Sequence, residues 1–222
     1  MIKKFEKQRH LFSKAICPIL FLMLILGSSG CNFLGYGSYV MFGSGERVVK
    51  AKYTGLTNKK TLILLNTLAG VEYSYPQSRV SLIMACQQIL KGNIENISFC
   101  DHEMVENYIL RELDWISVPT DVLAQKFGAQ RVIYVDMYEF TLQDSDSVGI
   151  YQGQVNAEVK VYEVDSKAPN KPVLNYYIEL KYPENHPVAA SPESKYLVLT
   201  GTIKQTAFEI CKNFIEYKEK QK

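Results

Sequence analysis

After about residue 47 the chain alternates between two spacings of apolar residues, one of two and one near 3.6. Val49, Ala51 and Tyr53 alternate with Lys50 and Lys52 from Arg47 onward, as in a half-buried strand. Thr61 to Thr67 (TLILLNT) is a continuous apolar run and predicts a central strand covered on both faces. Past Pro76, Val80, Ile83, Met84, Ile89 and Leu90 recur at helical spacing, with Gly92 placed to end the helix. A short strand at Ile97 to Cys100 leads to Asp101, a candidate N-cap for a helix carrying Val105, Tyr108 and Ile109. Pro119 and Thr120 open a short helix through Val122, Leu123 and Phe127 that Gly128 stops. Arg131 to Phe140 (RVIYVDMYEF) is rich in β-formers and reads as another buried strand.

The clearest period of two runs from Ile150 to Val164. Val155, Ala157, Val159 and Val161 lie on one face, and Gln154, Asn156, Glu158 and Lys160 on the other. Leu174, Tyr176, Ile178, Leu180 and Tyr182 alternate in the same way, which predicts a long antiparallel hairpin around Asp165 to Lys171 with one solvated face. Pro183, Pro187 and Pro192 mark a loop. A final helix carries Ile203, Ala207, Ile210 and Phe214, and the charged KEKQK end reads as its solvated terminus. The fold class predicted is α/β (α+β): a single mixed β-sheet packed with helices, over residues 47–222.

The first 46 residues are different. Five basic residues (Lys3, Lys4, Lys7, Arg9 and Lys14) precede the twelve-residue run AICPILFLMLIL, then Gly27, Ser28, Ser29, Gly30 and Cys31. Basic, apolar and small-residue segments in that order are those of a signal peptide over 1–30. A spanning helix needs about 20 apolar residues, so twelve interrupted by Pro18 are too few. Ser29-Gly30-Cys31 resembles a bacterial lipobox, in which the thiol is diacylated and the Cys becomes the mature N-terminus. Cys31 is therefore the expected lipidation site, although Ser28 stands where lipoboxes usually carry an aliphatic residue. Ser28-x-Gly30 also fits ordinary secretion. By the same resemblance, Asn32 in place of Asp favours the outer membrane, with the protein facing the periplasm. Residues 31–46, with Gly35, Gly37, Gly43 and Gly45 among Phe33, Tyr36, Tyr39 and Phe42, read as a tether.

Composition narrows the function. The whole chain has 25 basic and 23 acidic residues, but the first fourteen residues hold five of the former and one of the latter, leaving 20 and 22. A near-neutral domain lacks the electrostatic footprint of a nucleic-acid binder. Apolar residues at 47% and charged residues at 22% are those of a chain that buries a core.

Candidate chemistry is sparse. Cys100, Asp101, His102 and Glu103 are the one dense cluster of ligating types, and His186 is the other histidine after residue 30. Adjacent side chains point apart and match no ligand spacing, so an N-cap with surface polar residues is the simpler reading. Asp144, Asp146 and Gly149 mimic the start of an EF-hand loop, but Val148 and Val155 occupy ligand positions. Gly43-x-Gly45 precedes a strand and lacks the third glycine of a dinucleotide loop, and no G-x-S-x-G occurs. Cys86 and Cys211 fall on apolar helix sides and read as buried thiols, with one bridge among Cys86, Cys100 and Cys211 as the alternative. No catalytic residue, metal or cofactor is expected, and His102, His186 and Asp136 are expected to be dispensable.

The pieces KTLILLNT, RVSLIMACQQIL, ISFCDHEMVENYIL and DVLAQKFGAQRVIYVDMYEF, in that order, resemble successive elements of curli-assembly-type lipoproteins and of the TolB N-terminal-like fold. Leu65-Asn66-Thr67 stands where those families commonly have Pro-Phe, and no Arg follows Asp101. The resemblance covers roughly residues 47–215 and implies a non-enzymatic envelope factor: an adaptor or an assembly or transport accessory, anchored to the membrane by lipid and bound to an envelope protein. A homo-oligomer is compatible with it. The connection from Thr141 to Gly149 is too short for the membrane hairpins of channel-forming members. The alternative is a binding module, secreted or anchored, for a small or lipidic ligand.

Overall fold

The computed structural model describes residues 46–142 and 149–220. One compact unit runs from Val48 to Tyr217; of the residues outside it, 46, 47 and 218–220 are described. The strands are β1 (Glu46–Val49), β2 (Lys60–Thr67), β3 (Ser98–Phe99), β4 (Arg131–Thr141), β5 (Ile150–Tyr151), β6 (Gly153–Glu163), β7 (Leu174–Tyr182), β8 (Val188–Ala189) and β9 (Tyr217–Lys220). The helices are α1 (Ala69–Ser74), α2 (Ser78–Asn93), α3 (His102–Arg111), α4 (Thr120–Phe127) and α5 (Pro192–Cys211).

The main sheet is mixed, in the order β3-β2-β4-β6-β7. β2 is parallel to both β3 and β4, while β4-β6 and β6-β7 are antiparallel. β2 is thus an interior strand, as its apolar run requires, and β4 is the middle one. β1 with β9 and β5 with β8 form two-stranded ribbons.

The two faces of this sheet are covered unequally. On one face α2 and α5 bury Ile63, Leu65, Ile133, Val135, Met137, Val155, Ala157, Val159, Val161 and Ile178. On the other, α3, α4 and Trp115 cover Leu62, Leu64 and Val132, the part made by β2 and β4. Polar residues of β6 and β7 continue that face, and Asn175, Tyr177, Glu179 and Lys181 are exposed. This asymmetry explains why β2 reads as a continuous apolar run while β6 alternates.

Caps set three of the helix ends. Asp101 accepts from the backbone N–H of Glu103 and Met104, and Gly128 adopts φ 65°, the left-handed conformation that closes α4. Ser191 and Ser194 form a reciprocal capping box at the start of α5.

The structure departs from the sequence reading in several places. The strand expected through Tyr53 ends at Val49, because the following chain is drawn over the strand ends: Lys52 and Tyr53 donate their N–H to the Asn213 carbonyl, and Arg131 Nε holds the Gly55 carbonyl at 3.0 Å. Gly92 does not end α2. The helix runs on to Asn93, whose Nδ2 closes the last turn on the Ile89 carbonyl at 2.8 Å. Met84, expected on the buried side, is 53% exposed. The KEKQK end is not a helix terminus, since α5 stops at Cys211 and Tyr217–Lys220 is strand. Helix α1 lacks the periodic length that announces a helix, at only six residues.

Candidate functional site

α2 and α5 lie side by side on the sheet. Leu82, Ile83, Cys86 and Leu90 of α2, with Val198, Ala207, Ile210 and Cys211 of α5, face inward and are buried. Their outer edges do not close on each other, and a groove of about 720 Å³ lies between them. Small residues open it: Ser81 and Ala85 from α2 and Thr200 from α5. Ala85, Leu199 and Ile203 are partly buried and form its floor, whereas Met84 and Tyr196 stand up at its sides, 53% and 68% exposed. Pro76 and Gln77 stand among the lining residues where the chain enters α2, and Gln77 is held at φ 67°, a conformation disfavoured for a residue with a Cβ. Lys91 and Lys204 supply the charge of the lining, and no carboxylate is part of it. Eight of the lining residues, Pro76, Gln77, Ser81, Met84, Gln88, Lys91, Tyr196 and Lys204, are exposed. The groove is therefore an open trough and not an enclosed chamber.

The second notable surface is the uncovered polar face of β4, β6 and β7. A bulge between Met137 and Glu139 lets Tyr138 donate its hydroxyl to Glu158 Oε2 at 2.8 Å. Glu158 also takes Lys160 Nζ at 2.7 Å and Asn175 Nδ2 at 2.8 Å. Beside it Asn66 Nδ2 reaches Asp136 Oδ1 at 2.7 Å, and Asn156 Nδ2 reaches Glu139 Oε2 at 2.5 Å. Every carboxylate named here already has a donor, so the face is a satisfied network with none of them left over to act as a free base.

The residues singled out in the sequence do not converge. Cys100 points into the core and donates to the Phe127 carbonyl at 3.5 Å, while Asp101 turns outward to cap α3. His102 is the first residue of α3, and His186 is exposed in the loop before β8. Burial pushes the thiol pKa of Cys100 and Cys211 upward, which suppresses the reactive thiolate. Cys86, Cys100 and Cys211 are free, and Cys211 Sγ lies 3.7 Å from the Cys86 carbonyl. Val155 is a core residue of β6, and Gly149, at φ 85°, begins the described chain after an undescribed stretch that includes Asp144, Asp146 and Val148. Cys31, Gly43 and Gly45 lie outside the described residues. Among the described residues, no three or more His, Cys, Asp or Glu side chains gather as a metal site would require.

The groove itself was not anticipated. No local sequence signal announced it, since Met84 fits the apolar stripe of α2 and was expected to be buried. Only the placement of α5 alongside turns that residue and Tyr196 into the sides of one feature.

No protein-family model and no curated protein matches the chain. Among solved structures it is similar to the PelC dodecamer of Paraburkholderia phytofirmans, at 11% identity over 74% of this chain and 94% of that one, with a TM-score of 0.40. It is also similar to the lipoprotein GNA1162 of Neisseria meningitidis, at 12% identity over 67% and 97%, TM-score 0.36. A third is the hypothetical protein CT253 of Chlamydia trachomatis, at 11% identity over 70% and 99%, TM-score 0.37. No helix among the described residues is long and apolar enough to cross a membrane.

Proposed function

We propose that this chain is a lipid-anchored protein of the cell envelope, attached through Cys31 to the outer membrane and facing the periplasm, and that it works by binding another envelope protein, with no chemistry of its own. The observation that carries the reading is the open apolar groove between α2 and α5. A module for a small ligand buries most of that ligand in a closed, preformed pocket. A trough whose sides are an exposed Met84 and Tyr196 instead suits a protein surface that covers it on docking. The lipobox-like Ser29-Gly30-Cys31 and the order of elements shared with curli-assembly-type lipoproteins support the location and the adaptor role.

The test is to fill the groove in cells. Ala85→Trp at the floor and Ser81→Trp at the rim should each reproduce the phenotype of a deletion strain, while circular dichroism of the purified proteins stays native. His102→Ala, His186→Ala and Asp136→Asn should each leave function intact. Normal function in both tryptophan variants removes the groove from the mechanism. Loss of function in any of the last three, in a protein that folds and localises, reveals a chemical site and replaces this reading with an enzymatic one.

A further inference from the structure

The charge and spacing of the groove define what fits it. On α2, Ser81, Met84, Gln88 and Lys91 fall at i, i+3, i+7 and i+10 and line one side. On α5, Tyr196, Thr200 and Ile203 fall at i, i+4 and i+7 and line the other. Each stripe spans about two to three turns, or roughly 11 to 16 Å at 5.4 Å per turn. Two facing stripes of that length with a floor of Ala85 and Leu199 form the seat of a third helix laid between them. A flat bilayer surface would rest on the ridges of Met84 and Tyr196 and leave the floor uncovered.

The electrostatics are one-sided. Lys91 and Lys204 are exposed at the rim, and Lys195, just outside it, has its ammonium 6.0 Å from the Tyr75 ring centre. None of the three lysines is in an ion pair among the described residues. α2 contains no acidic residue along its sixteen positions, so nothing on that wall compensates the charge.

We infer that the groove takes an amphipathic helix of a protein partner, whose apolar stripe enters the trough and whose flanks carry Glu or Asp opposite Lys91 and Lys204. This rests on the docking reading above and adds the chemistry of the partner. Complementary rim charges steer encounter and select partners more than they add raw affinity. Their contribution is screened by salt over a Debye length of about 8 Å at physiological ionic strength.

The experiment uses the full mature chain, purified in detergent, and two synthetic 18-residue helical peptides. Both carry the same leucine stripe, one flanked by Glu and the other by Lys, and binding is followed by fluorescence anisotropy. The Glu peptide should bind at least about tenfold more tightly than the Lys peptide, the difference shrinking as salt rises. The double variant Lys91→Glu, Lys204→Glu, exposed at both positions and expected to melt as the wild type does, should reverse the preference. Equal binding of the two peptides, a preference the double variant leaves unmoved, or no binding of either peptide at about 1 mM overturns the inference. Tighter binding to phosphatidylglycerol vesicles than to the Glu peptide, lost in the double variant, overturns it in favour of a lipid surface. The two readings are distinguishable: if the peptides bind without charge preference and Ala85→Trp abolishes both, protein docking in the groove stands and only the acidic partner is wrong.

Discussion

Glu158 shows how a side chain assigned to the solvated face of a strand can end up buried. It is 7% exposed, because Tyr138, brought in by the β4 bulge, and Asn175 from β7 close over it along with Lys160. Burial alone would raise its pKa; hydrogen bonds from Lys160, Tyr138 and Asn175, with the Lys160 charge, outweigh that and hold it at about 2. A carboxylate whose pKa is depressed on folding, from an unfolded value of about 4.3, stabilises the native state above that value. The contribution is lost as pH falls toward 2. Glu158→Gln should therefore be destabilised by about 1 to 2 kcal/mol at pH 7, since the single amide oxygen can keep only one of the bonds from Tyr138 and Asn175, which reach different carboxylate oxygens, and the Lys160 ammonium loses its counter-ion. Thermal melts of both proteins between pH 7 and pH 2 check this: the gap should narrow through the interval from about 5 to 2. A gap independent of pH would mean the ion pair contributes nothing. The period of two in β6 placed Glu158 on the correct face, but the bulge that covers it depends on a register offset between strands, which no local pattern records.

Two helical glycines carry the same lesson for the packing of α2 and α5. A Cβ at Gly92 would meet nothing within 4 Å, and the helix continues past it. A Cβ at Gly201 would run into the ring of Tyr182, and one at Gly153 would run into Thr202, so α5 sits close against β6 and β7 at those glycines. The same substitution should then act with opposite sign in the two helices. Gly92→Ala should stabilise by about 0.5 to 1 kcal/mol through helix propensity, whereas Gly201→Ala should destabilise by about 1 to 3 kcal/mol, as overpacking does when a ring must be displaced. Urea melts of the two variants decide it, and a stabilising Gly201→Ala would mean α5 is seated differently. Sequence could not tell that Gly201 is the glycine a side chain would clash at, because the ring that meets it belongs to Tyr182 of β7, far away in the chain. What was legible followed from strong local rules: the apolar run of β2, the alternation of β6 and β7, the Asp101 cap and the Gly128 stop. What was not legible, α1, β9 and the groove, depends on short segments or on contacts between elements far apart in the chain.

The proposed attachment to the membrane rests on the N-terminal sequence; no described helix is long and apolar enough to cross a bilayer. In that proposal, the order of basic residues, a twelve-residue apolar run and Cys31 puts the acyl chains on the Cys31 sulfur. Each methylene of an acyl chain buried in lipid contributes about 0.8 kcal/mol, so one chain supplies on the order of 10 kcal/mol and holds only marginally, while two or three anchor durably. Confinement to the membrane also raises the effective concentration of a partner anchored nearby, which lets a groove of modest affinity work. Cells fed an alkyne fatty acid should incorporate it into the wild type and not into Cys31→Ser, and the wild type should sediment with membranes while the variant is released. The variant's purified domain should melt as the wild type does, because the substitution lies fifteen residues before the first described residue. Labelling that survives Cys31→Ser would place the lipid elsewhere. A wild type that is unlabelled and wholly soluble would favour ordinary secretion after Ser28-x-Gly30, and the groove would then have to find its partner without help from the membrane.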